Sequence, residues 1–191
     1  MTEQQYRSAL IKKRIPIFIL MGITLITSIL GFIAHIPVRF MLNAKAVLVD
    51  REYYRLVTSM FLHADVVHLA QNMICFYGVS DIYLSFRRWY KFVPVYLVSG
   101  ILGGFFESLI RFHMNDLTYS LGASGAVMGV LGADIAVVIK TNRGRSSKEL
   151  TSLLVRMGIL ALINLVPGRN GTDYLGHLLG FVTGFLLGLI L

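Results

Sequence analysis

Residues 174–191 read YLGHLLGFVTGFLLGLIL, eighteen positions without a formal charge. Gly176, Gly180, Gly184 and Gly188 recur at every fourth position. On a helix that spacing draws one continuous stripe of small residues. In lipid such a stripe lets two helices approach backbone to backbone. The stretch is close to the roughly 20 residues that a helix needs to cross a bilayer. One polar side chain, His177, stands in its first turn.

The rest of the chain has the same character. Of its 191 residues, 55% are hydrophobic and only 15% are charged, against about 25% charged in ordinary soluble domains. Mean hydropathy is +0.69. A water-soluble fold of this size could not hide so much apolar surface, so lipid is the expected solvent. Apolar runs of spanning length fall at 15–33, 66–86, 92–110, 121–139, 153–166 and 174–191. The fifth is short and holds Arg156, and the second is broken by His68, Gln71, Asn72 and Asp81. Only helices and closed barrels satisfy their backbone groups in lipid. The expected fold is therefore all-α, a polytopic bundle of six transmembrane helices. Short connections leave room for one domain, 1–191, with a short cytoplasmic segment at 1–14 and no added soluble domain. Lys12, Lys13 and Arg14 before the first run imitate a signal peptide. That run is of spanning length with no small-residue cleavage site after it, so it reads as a retained span.

Charge sets the direction. With the N-terminus inside, the inner segments hold Arg7, Lys12, Lys13, Arg14, Arg87, Arg88, Lys91, Lys140, Arg143, Arg145 and Lys148. The outer segments hold Arg39, Lys45, Arg51, Arg55, Arg111 and Arg169. The excess of basic residues inside predicts cytoplasmic N- and C-termini, in a multi-pass protein of the cell membrane, read as a bacterial plasma membrane. Segment 35–55 is the longest outer loop and has an amphipathic pattern suited to the interface. The net charge of +8 is accounted for by these span flanks, and no basic stripe interleaved with aromatics points to nucleic acid. Cys75 lies inside an apolar run and has no second cysteine to pair with.

This topology brings polar residues to one depth. Spans two, four and six all run inward from the outer face. His68 and Asn72 lie near the start of span two, four apart and on one face. Ser124 lies in the first turn of span four and His177 in the first turn of span six. Polar side chains inside spans are costly and usually face the bundle interior or a water-filled cavity. Glycines supply closeness: Gly122, Gly125, Gly129 and Gly132 on span four can meet Gly180 and Gly184 on span six. Packing through them brings Ser124 within reach of His177. Taken singly, Ser124 reads as a helix-packing serine and His68 with Asn72 as an interhelical hydrogen-bonding pair. Together they supply a chemistry. Serine is a weak nucleophile that needs an adjacent base, and neutral histidine is the usual one. The oxyanion of an acyl transfer needs donors already in place. The Asn72 amide, the His68 ring and the Ser124 backbone N–H, unpaired in a first helical turn, are the candidates. No carboxylate is clearly placed to orient His177, which favours a dyad. Metal is not expected: His63 and His68 are five apart with no HExxH pattern. No cofactor is implied. Glu107, Asp134 and Arg156 read as structural or interfacial.

Gly122-Ala123-Ser124-Gly125, with His68-x-x-x-Asn72 upstream and Gly176-His177-x-x-Gly180-x-x-x-Gly184 downstream, resembles the rhomboid family of intramembrane serine proteases. The resemblance covers roughly residue 53 to the end. It implies Ser124 and His177 as catalytic dyad, and His68 and Asn72 as oxyanion partners beside the Ser124 amide. It implies single-span membrane proteins as substrates, cut near the outer face, with lipid as surroundings. It also implies lateral access past spans two and five, with loop 167–172 as a cap. His63 matches a recurrent histidine of the family, Asp173 a frequent acidic position, and Tyr54-Arg55 the family's Trp-Arg pair. Met128 stands where an aromatic residue often packs on the base, and Ser80 and Leu84 where a glycine and a glutamate are usual. The alternative reading is a non-catalytic rhomboid-like protein that binds membrane helices. A small transporter would carry internal repeats with paired broken helices, which this sequence lacks.

Overall fold

A computed structural model describes residues 3–35, 38–141, 147–166 and 172–191. In chain order its helices are α1 (Glu3–Ala34), the short α2 (Ala44–Leu48), the single turn α3 (Arg55–Thr58), α4 (Val66–Phe86), α5 (Phe92–His113), α6 (Ser124–Thr141), α7 (Ser147–Leu165) and α8 (Tyr174–Ile190). Among the described residues there is no strand, only one antiparallel bridge between Leu42 and Ser120. The fold is all-α. Each of the six long helices coincides with one apolar run of the sequence. Ile11–Ala34 and 89–113 are long and apolar enough to cross a membrane by length and composition alone, and Tyr174–Ile190 is apolar but shorter.

Helix starts follow local chemistry. Asp65 caps α4 by accepting from the His68 N–H at 2.8 Å. Asp173 caps α8 by accepting from the Gly176 N–H at 3.0 Å. Each carboxylate pairs an amide that lacks an intrahelical partner. α6 begins three residues later than its apolar run, because Gly122 adopts a φ of +134° that no right-handed helix contains. Gly122 was expected among the helix-packing glycines. It lies instead in the turn ahead of α6. α7 begins at Ser147, earlier than the run at 153, since Lys148 and Glu149 extend the helix beyond its apolar part.

The core centres on α6, where Ala126, Val127, Val130, Leu131, Ala133, Ala136 and Val137 are all buried. Its closest neighbour is α8. A Cβ placed on Gly180 would run into the Gly125 carbonyl, and one on Gly184 into the Gly129 carbonyl. On Gly188 it would stand 2.7 Å from the Ala133 Cα. From the other side α5 offers Gly103, whose Cβ would lie 2.9 Å from the Gly180 Cα. Three helices therefore meet as bare backbones. Lipid tails are as apolar as leucine, so this close contact supplies association that hydrophobicity cannot.

Apolar side chains also cover the outside. On α1, Ile11, Phe18, Ile26 and Ile33 are exposed, and so are Leu154, Val155, Ile159 and Leu162 on α7. Exposed apolar surface on this scale marks a face meant for an apolar medium. Polar ties gather at the two ends. At one end Arg87 donates to the Gly188 carbonyl at 2.9 Å, Lys91 to the Leu191 carbonyl at 3.1 Å, and Lys140 to the Leu189 carbonyl. These cations satisfy the otherwise unpaired carbonyls ending α8. Near the same end Asp81 pairs with Arg14 of α1 and, at 3.3 Å, with Arg156 of α7. At the other end segment 38–61 folds over α5: Leu42, Val47 and Leu56 pack with Ile101 and Phe105. Arg55, 7% exposed, holds this segment by donating to the Val38 and Met41 carbonyls, both at 2.8 Å, and to Glu52. Cys75 is buried and donates to the Leu160 carbonyl at 3.4 Å. Arg143, Arg145, Arg169 and 167–171 of the expected cap lie outside the described residues.

The glycine seam makes a graded prediction. Gly184→Ala forces backbone against backbone and should cost about 1–3 kcal/mol of stability. Gly158→Ala, with nothing within 4 Å of the new methyl, should leave stability unchanged or slightly raise it. Thermal unfolding of both variants in detergent measures the difference.

Candidate active site

The starts of α4, α6 and α8 share one end of the bundle, and a cavity of about 520 Å³ opens between them. Ser124, His177, His68 and Asn72 all line it. Ser124 is the first residue of α6, so its amide belongs to the turn whose N–H groups have no intrahelical acceptor. His177 lies in the first turn of α8, its own N–H bonded to the Asp173 carbonyl at 3.1 Å. Both side chains are buried within the bundle, at 7% and 5% exposure. The seam described above is what brings them together: Gly125 follows the serine and meets Gly176, which precedes the histidine.

The polar atoms are only partly engaged. Among the described residues His177 Nδ1 and Asn72 Oδ1 have no hydrogen-bond partner. Ser124 and His177 line the same cavity without a hydrogen bond between them; such bonds are often long until substrate is bound. Asn72 Nδ2 turns back to the His68 carbonyl at 3.0 Å, which uses one of its two N–H groups. The second stays available as a donor. Among the described residues no three His, Cys, Asp or Glu side chains are grouped to hold a metal.

His63, whose role its sequence position leaves undefined, lies at the hinge of the site. It is fully buried, with Nδ1 2.9 Å from the Ser28 hydroxyl of α1 and Nε2 accepting from the Ala123 N–H at 3.4 Å. A ring accepting at Nε2 carries its proton on Nδ1, so Ser28 accepts from it and passes its own hydroxyl proton to the Phe61 carbonyl at 3.2 Å. The His63 ring also meets His68 edge-on, at 5.0 Å between centroids. His63 thus links α1 to the residue before Ser124. Gly122 completes that turn. Its N–H donates to the Ser59 carbonyl at 3.0 Å, and a Cβ there would be 3.0 Å from the His68 ring. Met128 is buried in the core and does not line the cavity.

A second set of residues centres on Arg111, which the sequence did not mark as part of a site. Arg111 near the end of α5 donates to Glu107 at 2.8 Å, to Asp173 at 2.9 Å, to Thr118 at 2.8 Å and to Asp116. Burial alone would raise the pKa of Asp173. The hydrogen bond from Glu107, the Gly176 N–H and the Arg111 guanidinium outweigh it and hold this carboxyl below its ordinary value. Asp116 is likewise held low, chiefly by the Thr118 hydroxyl and N–H.

Fold and cavity together define a helical membrane protein whose polar residues converge on a pocket at one end of the bundle. Residues 50–191 match the Rhomboid domain, and the chain belongs to the rhomboid family. It is 34% identical over 154 residues to RHOMBOID-like protein 6, mitochondrial, of Arabidopsis thaliana, covering 78% of this chain and 47% of that one. It is 37% identical over 147 residues to RHOMBOID-like protein 7 of the same plant, covering 74% and 44%. To rhomboid protease GluP of Bacillus subtilis it is 30% identical over 153 residues, covering 78% and 28%. The chain thus spans under half the length of each of these relatives.

The turn ahead of Ser124 can be tested directly. Gly122→Ala combines a forbidden φ with a methyl pressed on the His68 ring, and should destabilise the protein by about 1–3 kcal/mol. Thermal unfolding in detergent reads the shift, and an unchanged midpoint would contradict the geometry assigned to this turn.

Proposed function

We propose that this chain is an intramembrane serine endopeptidase, with Ser124 as nucleophile and His177 as its base. The observation that carries the reading is the shared cavity: the first residue of α6 and a first-turn residue of α8 face it together with His68 and Asn72. In the proposed reaction His177 takes the Ser124 hydroxyl proton as the oxygen attacks a substrate carbonyl. The oxyanion that forms is stabilised by the Ser124 amide, the second Asn72 N–H and the His68 ring N–H. His177 then gives its proton to the leaving amine, and water admitted through the cavity hydrolyses the acyl-enzyme. The unpartnered His177 Nδ1 supports a dyad without a carboxylate.

The proposed substrates are single-span membrane proteins, cut near the outer face of the membrane. A peptide bond inside a regular helix is shielded, so residues of low helix propensity near the cut would ease access. All six long helices are proposed to cross the membrane, as one domain with cytoplasmic N- and C-termini. The basic residues gathered at the end opposite the cavity support that direction. A bacterial plasma membrane is the proposed setting, with lipid and substrate helices as the only partners and no metal or cofactor.

Incubation of purified protein with a single-span substrate tests the assignment. Cleavage should be lost on Ser124→Ala and on His177→Ala, and should withstand chelators. Activity that survives Ser124→Ala sinks the assignment of the nucleophile, and absence of cleavage by the wild-type protein favours a helix-binding protein without catalysis. The sign of the pH effect is fixed: a base must be neutral, so kcat/KM falls as acid protonates His177 and recovers as pH rises. A rate flat into strong acid would exclude His177 as base.

A further inference from the structure

Nucleophile and base stand on different helices, and a third helix holds both. This inference rests on the dyad reading above. Glu107 and Arg111 are one turn apart on α5, so their side chains share a face. Glu107 is 3% exposed. Its Oε1 accepts from the Ser120 hydroxyl at 2.9 Å, four residues before Ser124. The same oxygen accepts from Arg111 Nε at 2.8 Å. Arg111 Nη2 reaches Asp173 Oδ1 at 2.9 Å, and that oxygen caps α8 through the Gly176 N–H, next to His177. The remaining side of the guanidinium is fixed by Asp116 and Thr118. Four of its five N–H groups are therefore committed.

The two carboxyls also bear on the helix itself. A Cβ on Gly176 would be 2.8 Å from Glu107 Oε2 and 2.9 Å from Asp173 Oδ2. Both oxygens thus press on the residue that precedes the base. The contacts run without a break from Ser120 through Glu107 and Arg111 to Asp173 and Gly176.

We propose that the Glu107–Arg111 pair is a positioning clamp, which ties the Ser120–Ser124 segment to the start of α8 and so sets the distance between nucleophile and base. Glu107 acts through Ser120 and, by way of Arg111, through Asp173, and it is bonded to neither Ser124 nor His177. The pair gives α5 a role in turnover that none of the motifs on α4, α6 or α8 supplies.

The test uses the full chain in detergent with three readouts: thermal unfolding, kcat and KM on a single-span substrate, and the rate at which a fluorophosphonate probe labels Ser124. Glu107→Leu keeps the volume and removes both links. It should lower kcat and the labelling rate on the order of a hundred-fold, the scale of a catalytic group displaced by about 1 Å, with KM unchanged. Glu107→Gln keeps the shape and presents a carbonyl to Ser120 and Arg111, so it should restore most of the lost turnover. Arg111→Lys keeps the charge without the fork and should lower kcat with KM unchanged. Wild-type turnover in folded Glu107→Leu, with Ser124→Ala inactive, overturns the clamp alone. Should Glu107→Leu fail to fold, Gln and Lys decide: a Gln variant without turnover, or a Lys variant with full turnover, overturns it equally. Activity surviving Ser124→Ala overturns the dyad reading and the clamp with it.

Discussion

The contact between α6 and α8 is made of peptide backbone. Gly180 faces the Gly125 carbonyl, Gly184 faces the Gly129 carbonyl, and Gly188 faces Ala133. In water two such helices would be held by the apolar area they remove from solvent. In lipid that difference vanishes, and association depends on dispersion, close fit and polar contacts. Each glycine therefore contributes through the atoms it lacks. The seam runs the length of both helices, and Ser124 and His177 stand at its first turn. The position of the site is in this sense a by-product of the packing: wherever α6 and α8 begin together, their first polar residues face each other.

A seam fixes two axes more firmly than it fixes sliding along them, because a glycine stripe looks alike one turn further on. The polar ties at the two ends supply the missing register. Arg87, Lys91 and Lys140 hold the last carbonyls of α8. Asp173 and Gly176 hold its first turn against Arg111. His63 and Gly122 hold the turn that leads into α6. Burying charged and polar groups is costly unless they are paired, and here the pairs join different helices. α7 differs. It joins the core through side chains, with Leu153 and Met157 buried and Leu160 against Gly78, and adds an ion pair of Arg156 with Asp81 and a bond from Cys75 to the Leu160 carbonyl. The α5–α6–α8 contact is thus made of backbone and the α4–α7 contact of side chains.

Much of this architecture was legible in the sequence. Apolar runs located the long helices, since hydropathy registers a helix that must face lipid. The stripe at Gly176, Gly180, Gly184 and Gly188 named the seam, since spacing of four maps directly onto a helix face. Polar residues confined to the starts of three runs named the cavity. Three things were hidden. Gly122 read as one more member of a stripe, because periodicity does not report φ, and it proved to stop the helix. Segment 35–55 read as an interfacial loop, because the packing of Leu42 and Val47 with Ile101 and Phe105 is tertiary. Arg111 carried no signal at all. Its partner Asp173 is 62 residues away, and a lone arginine at a helix end looks like an ordinary interfacial cation.

Water makes the last constraint. The proposed hydrolysis would consume it, yet a bundle coated in isoleucine and leucine excludes it. The cavity resolves the conflict by its position. It lies where the helices begin, between polar side chains contributed by α4, α6 and α8, while the apolar coat continues around the outside of the same helices. If the chain cleaves peptide bonds as proposed, the substrate must reach this pocket from lipid while water reaches it from the open end. The two routes cannot coincide. On that reading the exposed apolar face of α7 meets lipid and the polar starts of α4, α6 and α8 meet water, which separates the two. The glycine seam between α6 and α8 holds Ser124 and His177 in register beside the pocket.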